Sequence, residues 1–333
     1  MLLKYKINSP LKRLIGLLSL GVILISLPFL IRSPYYLHLV IMACINIVLA
    51  MTFSLMFSAG LITLGAAAFW AIGAYASTVL VMNLGISFWL ALPFAGMIAG
   101  IFAFAFGLII VRTPGFIFVM ETFVINMMVV HAFGHITQLG GWGGICGIPR
   151  PGAITIPFIY QITFATKIPY YYLILLILLM TVIVFYALHS SRIGTAWRSI
   201  KLNPGLAQTL GINLFRYRVM VFTIASAFAG LTGSFYAHYY ETIEPETFII
   251  FKSLYIQIYG ILGGLNFYIL GPTIGASIMT FAPEFLRITQ EYEPIYTGSM
   301  LILLAIILPG GILSIPERIS ALSRQNKVKK VKQ

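Results

Sequence analysis

His131 and His135 stand four residues apart, a spacing that puts two imidazoles on one face of a helix where a metal could bridge them. No third ligand is evident. Ala132 follows His131 where a metalloprotease helix would carry Glu, so the HExxH arrangement is missing. With Asn126 and Gln138 on the same segment, the pair fits hydrogen bonding between helices or the lining of a wet cavity better than metal binding. Glu121 is the one acid away from the end of a long apolar run. A charge at the bilayer centre costs about 2.5–3.5 kcal/mol on insertion scales, so Glu121 must face protein or water, or hold a proton. It reads either as a pathway or gating residue, or as a carboxyl satisfied by neighbours such as Thr122. All eight acidic residues are Glu, which excludes aspartyl chemistry, and there is no GxSxG. No Gly-Lys dipeptide occurs, so the chain has no P-loop. Cys44 lies in an apolar run and Cys146 in a Gly-rich loop, with no CxxC to support metal or redox use.

The elements that must position these residues are membrane helices. The chain is 60% hydrophobic and only 9% charged, whereas a soluble domain has about 25% charged residues. Taking about 20 apolar residues per crossing, the sequence predicts an all-α, polytopic transmembrane bundle of about ten helices. The spans are 14–31, 35–58, 61–82, 86–111, 115–138, 168–189, 219–240, 249–266, 269–286 and 294–313. Lys4, Lys6, Lys12 and Arg13 before the first span mimic a secretory signal, but no small-x-small cleavage site follows, so it reads as a retained helix. Span 61–82 carries Gly65 to Ala68, Gly73 and Ala74, which let helices approach closely, and is expected inside the bundle. A faint internal echo links Ala71-Ile72-Gly73-Ala74 with Thr273-Ile274-Gly275-Ala276.

The net charge of +13 would suggest nucleic acid on a soluble domain. Here the bases lie between apolar runs and at the ends, so they report orientation and no nucleic-acid partner is expected. With the N-terminus in the cytoplasm, sixteen of the twenty-one basic residues fall on cytoplasmic segments, including the tail 314–333. Both termini are therefore expected there.

The longest cytoplasmic connection is 190–218. Residues 193–202 fit one short helix; Asn203 and Pro204 signal the start of a second, and Gly211 its end. The pair forms a hook whose apolar side (Ile193, Ala196, Ile200; Leu206, Leu210) needs a cover. A protein partner and the lipid surface, with Trp197 and the bases as anchors, serve equally well on the residues alone.

This loop carries Ser191, Gly194, Ala196, Arg198, Ile200, Asn203, Ala207 and Leu210-Gly211-Ile212. Phe222, Ser226 to Leu231 and Gly233 follow, then Ser253, Leu262-Gly263-Gly264, Gly271-Pro272, Gly275-Ala276 and Pro309-Gly310-Gly311. Upstream stand Leu64-Gly65, Phe69, Ile72 to Tyr75, Gly140-Gly141, Gly144 and Gly147-Ile148. In this order, over roughly residues 46–315, the chain resembles the permease subunits of branched-chain amino acid ABC importers. It departs at Thr195, where the family usually has Arg, and at Leu202 and Pro204, where it usually has Glu.

The resemblance implies a permease in a bacterial or archaeal cytoplasmic membrane, assembled with a second, related permease, two ATPase subunits that bind the ATP, and an extracytoplasmic solute-binding protein. It implies no cofactor on this chain and no enzymatic activity. The loop would couple to the ATPases through Ser191, Arg192, Gly194, Ala196, Arg198, Ile200, Lys201, Asn203, Pro204, Leu210 and Gly211. Glu121, Asn126, Gly140, Gly141, Gly144, Gly263 and Gly264 stand as pathway or gate candidates, the Gly-rich loop being read as flexible and external. Glu241, Glu244 and Glu246 form an external acidic cluster that fits either a docked binding protein or a solvated rim. Branched-chain amino acids are the implied substrate, with urea, short amides or other amino acids open within the family. A self-contained secondary transporter is the competing reading.

Overall fold

The computed structural model describes residues 26–28, 33–113, 115–156, 160–265, 267–285, 298–299 and 311–314. The expected first span, the last span and the basic tail lie almost wholly outside these residues.

Apolar runs broken by Gly, Pro and polar residues fold as an all-α bundle. Its helices are α1 (Pro34–Phe57), α2 (Ala66–Met82), α3 (Phe88–Ile110), α4 (Phe116–His135), α5 (Lys167–Ser190), α6 (Arg192–Leu202), α7 (Pro204–Thr209), α8 (Leu214–Tyr240), α9 (Ile250–Gly263) and α10 (Leu270–Phe285). Among the described residues, α1, α3, α4, α5 and α8 are long and apolar enough to cross a membrane, and α2 is a shorter apolar helix. The strands are two small antiparallel pairs: β1 (Ile145–Cys146) with β4 (Thr242–Ile243), and β2 (Ile154–Ile156) with β3 (Tyr160–Ile162).

Three segments differ from the sequence expectation. Helix α8 starts at Leu214 instead of 219, because Asn213 caps it by accepting from Arg216 N at 3.1 Å. Helix α2 starts only at Ala66, leaving 61–65 non-helical. Helix α9 has 14 residues, about 21 Å at 1.5 Å per residue, and falls short of a core about 30 Å thick.

The centre of the bundle is α8 wedged between α2 and α3. In lipid no hydrophobic force drives helices together, so small residues and close packing must do it. Ala91, Ala95, Ala99 and Ala103 form a fully buried stripe along α3 at a spacing of four. Across from α2, a Cβ on Gly73 would lie 2.1 Å from the Gly230 carbonyl oxygen, and one on Gly233 would lie 2.0 Å from that of Trp70. The α9–α10 pair closes the same way, with Gly263 against Gly271 and Gly275 against the Tyr259 carbonyl.

A buried hydrogen-bond chain pins the end of this core opposite the hook. His238 Nδ1 donates to the Pro149 carbonyl at 2.7 Å, which leaves Nε2 of a neutral ring as an acceptor. Ser77 Oγ, 3.0 Å from Nε2, is therefore the donor there, and Ser234 Oγ donates to Ser77 at 2.7 Å.

Gly233→Ala is expected to force α8 from α2, because the obstructing atom is backbone. The expected loss is about 1–3 kcal/mol, read as a lower midpoint in detergent unfolding followed by circular dichroism. Gly143→Ala, where an added Cβ meets open space, should leave that midpoint in place.

Candidate functional site

The hook is built from its caps. Ser191 Oγ accepts from Ile193 N at 3.1 Å and from Gly194 N at 3.5 Å, starting α6. Asn203 Oδ1 accepts from Leu206 N at 3.0 Å, with Pro204 in the first turn of α7. Gly211, at φ 81°, ends it in the left-handed region. Gly194 abuts the preceding helix: a Cβ there would lie 2.2 Å from the His189 carbonyl oxygen.

The hook is seated rather than free. Trp197 is completely buried and its Nε1 donates to the Tyr217 carbonyl at 2.9 Å. Ala196, Ile200 and Ala207 are buried beside it. The Lys201 ammonium lies 3.8 Å from the centroid of the Phe57 ring at the end of α1, and burial pushes its pKa below the ordinary lysine value. His189 stacks on Tyr268 of the α9–α10 turn at 3.5 Å.

This arrangement corrects the expected docking face. Ala196 and Ile200 do not project outward, because α6 lays that side on the bundle's own end. The exposed apolar edge is Leu202, Leu206 and Leu210, at 85%, 60% and 72% exposure and a spacing of four. Arg192, Arg198, Pro204 and Gly211 are exposed around it, and Arg198 reaches Thr195 Oγ1 at 3.2 Å.

Two stretches of irregular backbone lie inside the bundle, a placement tolerated only where protein or water satisfies their polar groups. At 61–65 side chains do so: Thr122 Oγ1 accepts from Leu64 N at 3.0 Å, Thr63 Oγ1 from Gly65 N at 3.0 Å, and Gln257 Nε2 donates to the Thr63 carbonyl. Ser253 Oγ accepts from Ala67 N in the first turn of α2 at 3.0 Å.

The second stretch, 244–249, holds a 3-10 turn at Pro245–Phe248. Phe248 packs on Trp70 and Tyr75, at centroid distances of 4.8 and 6.3 Å, and its carbonyl accepts from Asn126 Nδ2 at 3.3 Å. Asn126 is at the middle of α4 and Tyr75 at the middle of α2, so α9 begins half-way through the bundle. The segment expected as an external loop before a full span is a descent through a 3-10 turn followed by a half-length helix.

The Gly-rich loop, flexible by composition, carries short regular elements. Two 3-10 turns, Thr137–Leu139 and Gly141–Gly143, lead into β1, which pairs Ile145 with Ile243. Gly140, Gly141 and Gly144 take positive φ, and a Cβ on Gly144 would lie 2.2 Å from the Ile243 carbonyl oxygen. Trp142 stands edge-on to His131 and His135 at 5.5 and 6.1 Å and covers Gly134. Among the described residues no three His, Cys, Asp or Glu side chains cluster as metal ligands. Arg150 Nε donates to Glu241 Oε1 at 2.6 Å, beside a cleft of about 280 Å³ that Lys167, His38 and Tyr239 also line.

Glu121 accepts from Thr113 Oγ1 at 2.5 Å and so ties down the α3–α4 turn at the hook end. Gly263 and Gly264 form the α9–α10 crossing. Sequence reasoning gave no site role to Thr122, Ser253, Gln257 or Phe248, naming Thr122 only as a neighbour of Glu121 and Ser253 only within the family pattern. The first three carried a signal, being polar side chains in apolar runs; Phe248 carried none.

Comparison with known proteins places these features in a family. Residues 35–308 match the family described as the permease component of branched-chain amino acid transport systems. The high-affinity branched-chain amino acid transport system permease protein LivM of Salmonella typhimurium is 27% identical over 325 residues, 92% of this chain and 76% of LivM. LivH of Escherichia coli is 31% identical over 130 residues, 38% of this chain and 41% of LivH. The nucleoside ABC transporter permease protein NupC of Lactococcus lactis is 27% identical over 197 residues, 54% of this chain and 59% of NupC. No solved structure matches.

Trp197→Ala is expected to unseat the hook at a local cost of about 3–5 kcal/mol. Amide hydrogen exchange should rise across 191–212 by at least tenfold, while α2, α3 and α8 keep their protection.

Proposed function

This chain belongs to the permease components of branched-chain amino acid transport systems, and from that membership we propose that it is one permease subunit of an ATP-binding cassette importer. It supplies half of a translocation path in the cytoplasmic membrane of a bacterium or archaeon, opposite a second, related permease. The ATP is bound and hydrolysed by two separate subunits beneath the hook, and a solute-binding protein delivers substrate at the Gly-rich end. The solute is a branched-chain or related amino acid.

The observation that carries this reading is the exposed leucine edge of a rigidly seated hook. Leu202, Leu206 and Leu210 face away from the bundle while Trp197 and Ile200 fasten the same element to it. An apolar edge held outside the bundle, with Arg192 and Arg198 exposed on the same hook and Arg216 exposed at the start of α8, fits a groove on a partner that has an apolar floor and acidic margins. Because Trp197 and Lys201 join that edge to α1, α5 and α8, a push on the leucines moves the bundle rather than bending a loop.

Co-expression with the ATPases, the second permease and the binding protein tests the proposal. The triple variant Leu202→Glu, Leu206→Glu, Leu210→Glu should lose ATPase co-purification and lower ATP-driven uptake of labelled leucine in proteoliposomes at least tenfold. Its melting midpoint should stay in place, because all three side chains are exposed. Accumulation of leucine on an ion gradient by the purified chain alone would overturn the reading.

A further inference from the structure

Among the described residues, eight buried side-chain polar atoms have no hydrogen-bond partner. Three of them, Trp70 Nε1, Tyr75 OH and Asn126 Oδ1, belong to side chains that touch the same residue, Phe248. Trp70, Tyr75 and Asn126 are 4%, 1% and 0% exposed, and Phe248 is fully buried. An unpartnered buried donor or acceptor loses its water and gains nothing in return, so native structures hold few of them. Three on side chains that meet one residue, two against its phenyl ring and one on its carbonyl, call for a second occupant.

The surroundings say what that occupant is. Phe248 ends the 3-10 turn just ahead of Ile250, the first residue of α9. The opening turn of a helix presents N–H groups with no partner in their own helix, together with the positive end of its dipole, and a helix broken at mid-membrane offers that end to an anionic group. The indole N–H of Trp70 is a second donor for the same anion. Asn126 Oδ1 is an acceptor only, and Tyr75 OH can accept, so both serve a cationic N–H. The three unpartnered groups are themselves uncharged, while Glu244 lies within electrostatic reach of Tyr75 and Lys252 belongs to the first turn of α9, so the surroundings match a group carrying both signs and no net charge. The ring of Tyr236, 6.1 Å from Phe248, adds an apolar wall.

We propose that Phe248 is a movable plug over a mid-membrane site for the zwitterionic head group of an α-amino acid. When the phenyl ring withdraws, Trp70 and the first turn of α9 take the carboxylate, and Asn126 and Tyr75 take the ammonium. The turn that carries the plug continues into Glu244 and Glu246, which are exposed, so the ring leaves Trp70 and Tyr75 by a movement of the turn and not of α2 or α4. This inference deepens the transport reading and rests on it for the substrate class.

The experiment uses the assembled transporter in proteoliposomes with labelled leucine. Trp70→Phe and Tyr75→Phe each remove one polar atom that has no partner in the resting structure. They are expected to hold or raise the melting midpoint while raising KM for leucine at least tenfold. A KM unchanged in both variants overturns the head-group site. A second measurement needs no substrate. In a Cys44→Ala, Cys146→Ala background, Tyr75→Cys is treated with a membrane-impermeant methanethiosulfonate reagent. Phe248→Ala should speed labelling at least tenfold, and Phe248→Leu should restore protection; equal rates in all three overturn the plug. If the unmodified complex takes up no leucine, the transport reading and the amino-acid head group fall together, and the labelling rates still decide the plug by themselves.

Discussion

The contact of α8 with α2 and α3 through bare backbone is the constraint on which this bundle depends. In hydrocarbon an apolar side chain gains little by leaving lipid for protein, so the attraction must come from dispersion at very short range and from hydrogen bonds. Gly73, Gly230 and Gly233 provide that range, since no Cβ fits where they meet. The alanine stripe of α3 extends the contact along the length of α8. The Ser234–Ser77–His238 chain then sets rotation and register, because sliding α8 by one residue would strand every member in a place without water.

With that core fixed, the chain can leave helical geometry elsewhere. The segment 61–65 and the turn at 245–248 both expose backbone polar groups inside the bundle, and both are answered by side chains from helices the core holds still. Thr122 and Asn126 come from α4, Ser253 and Gln257 from α9. These polar residues sit in otherwise apolar runs because the breaks need them. The breaks in turn produce a half-length α9, whose N-terminus lies at a depth where a full helix would present only side chains.

The sequence showed the long helices to within a few residues, because an apolar run bounded by Pro, Gly or charge has one stable form in lipid. It also showed the hook and its caps, because Asn203-Pro204 and Gly211 act locally. Two things were hidden for one reason: hydropathy measures what lipid accepts, not what the backbone does. Leu64 in a non-helical segment and Leu64 in a helix are equally apolar, so the late start of α2 left no trace. The descent at 244–249 was hidden in the same way, its acids reading as an external rim. The orientation of α6 was hidden because both of its neighbours, bundle and partner, want apolar residues; only the packing of Trp197 distinguishes them. The strand of the Gly-rich loop depends on β4, nearly a hundred residues away in the chain.

The hook and the mid-membrane break are joined by matter, not merely by proximity. Lys201 of the hook lies over Phe57 and against Gly60, where a Cβ would meet its Cα at 3.5 Å. Gly60 opens directly into 61–65, and the Thr63 carbonyl in that segment is held by Gln257 of α9. Ser253, one turn earlier on α9, holds the start of α2, and Phe248 precedes that helix by two residues. A non-helical segment transmits displacement differently from a helix: its hydrogen bonds run sideways to other elements, so moving it drags its partners. A shift of the hook therefore acts on α9 through a short strip of backbone with two side-chain grips. Such a connection transmits a signal only if one element along it has two stable positions. The proposed second position lies at Phe248, which the side chains of three of the eight unpartnered polar atoms meet.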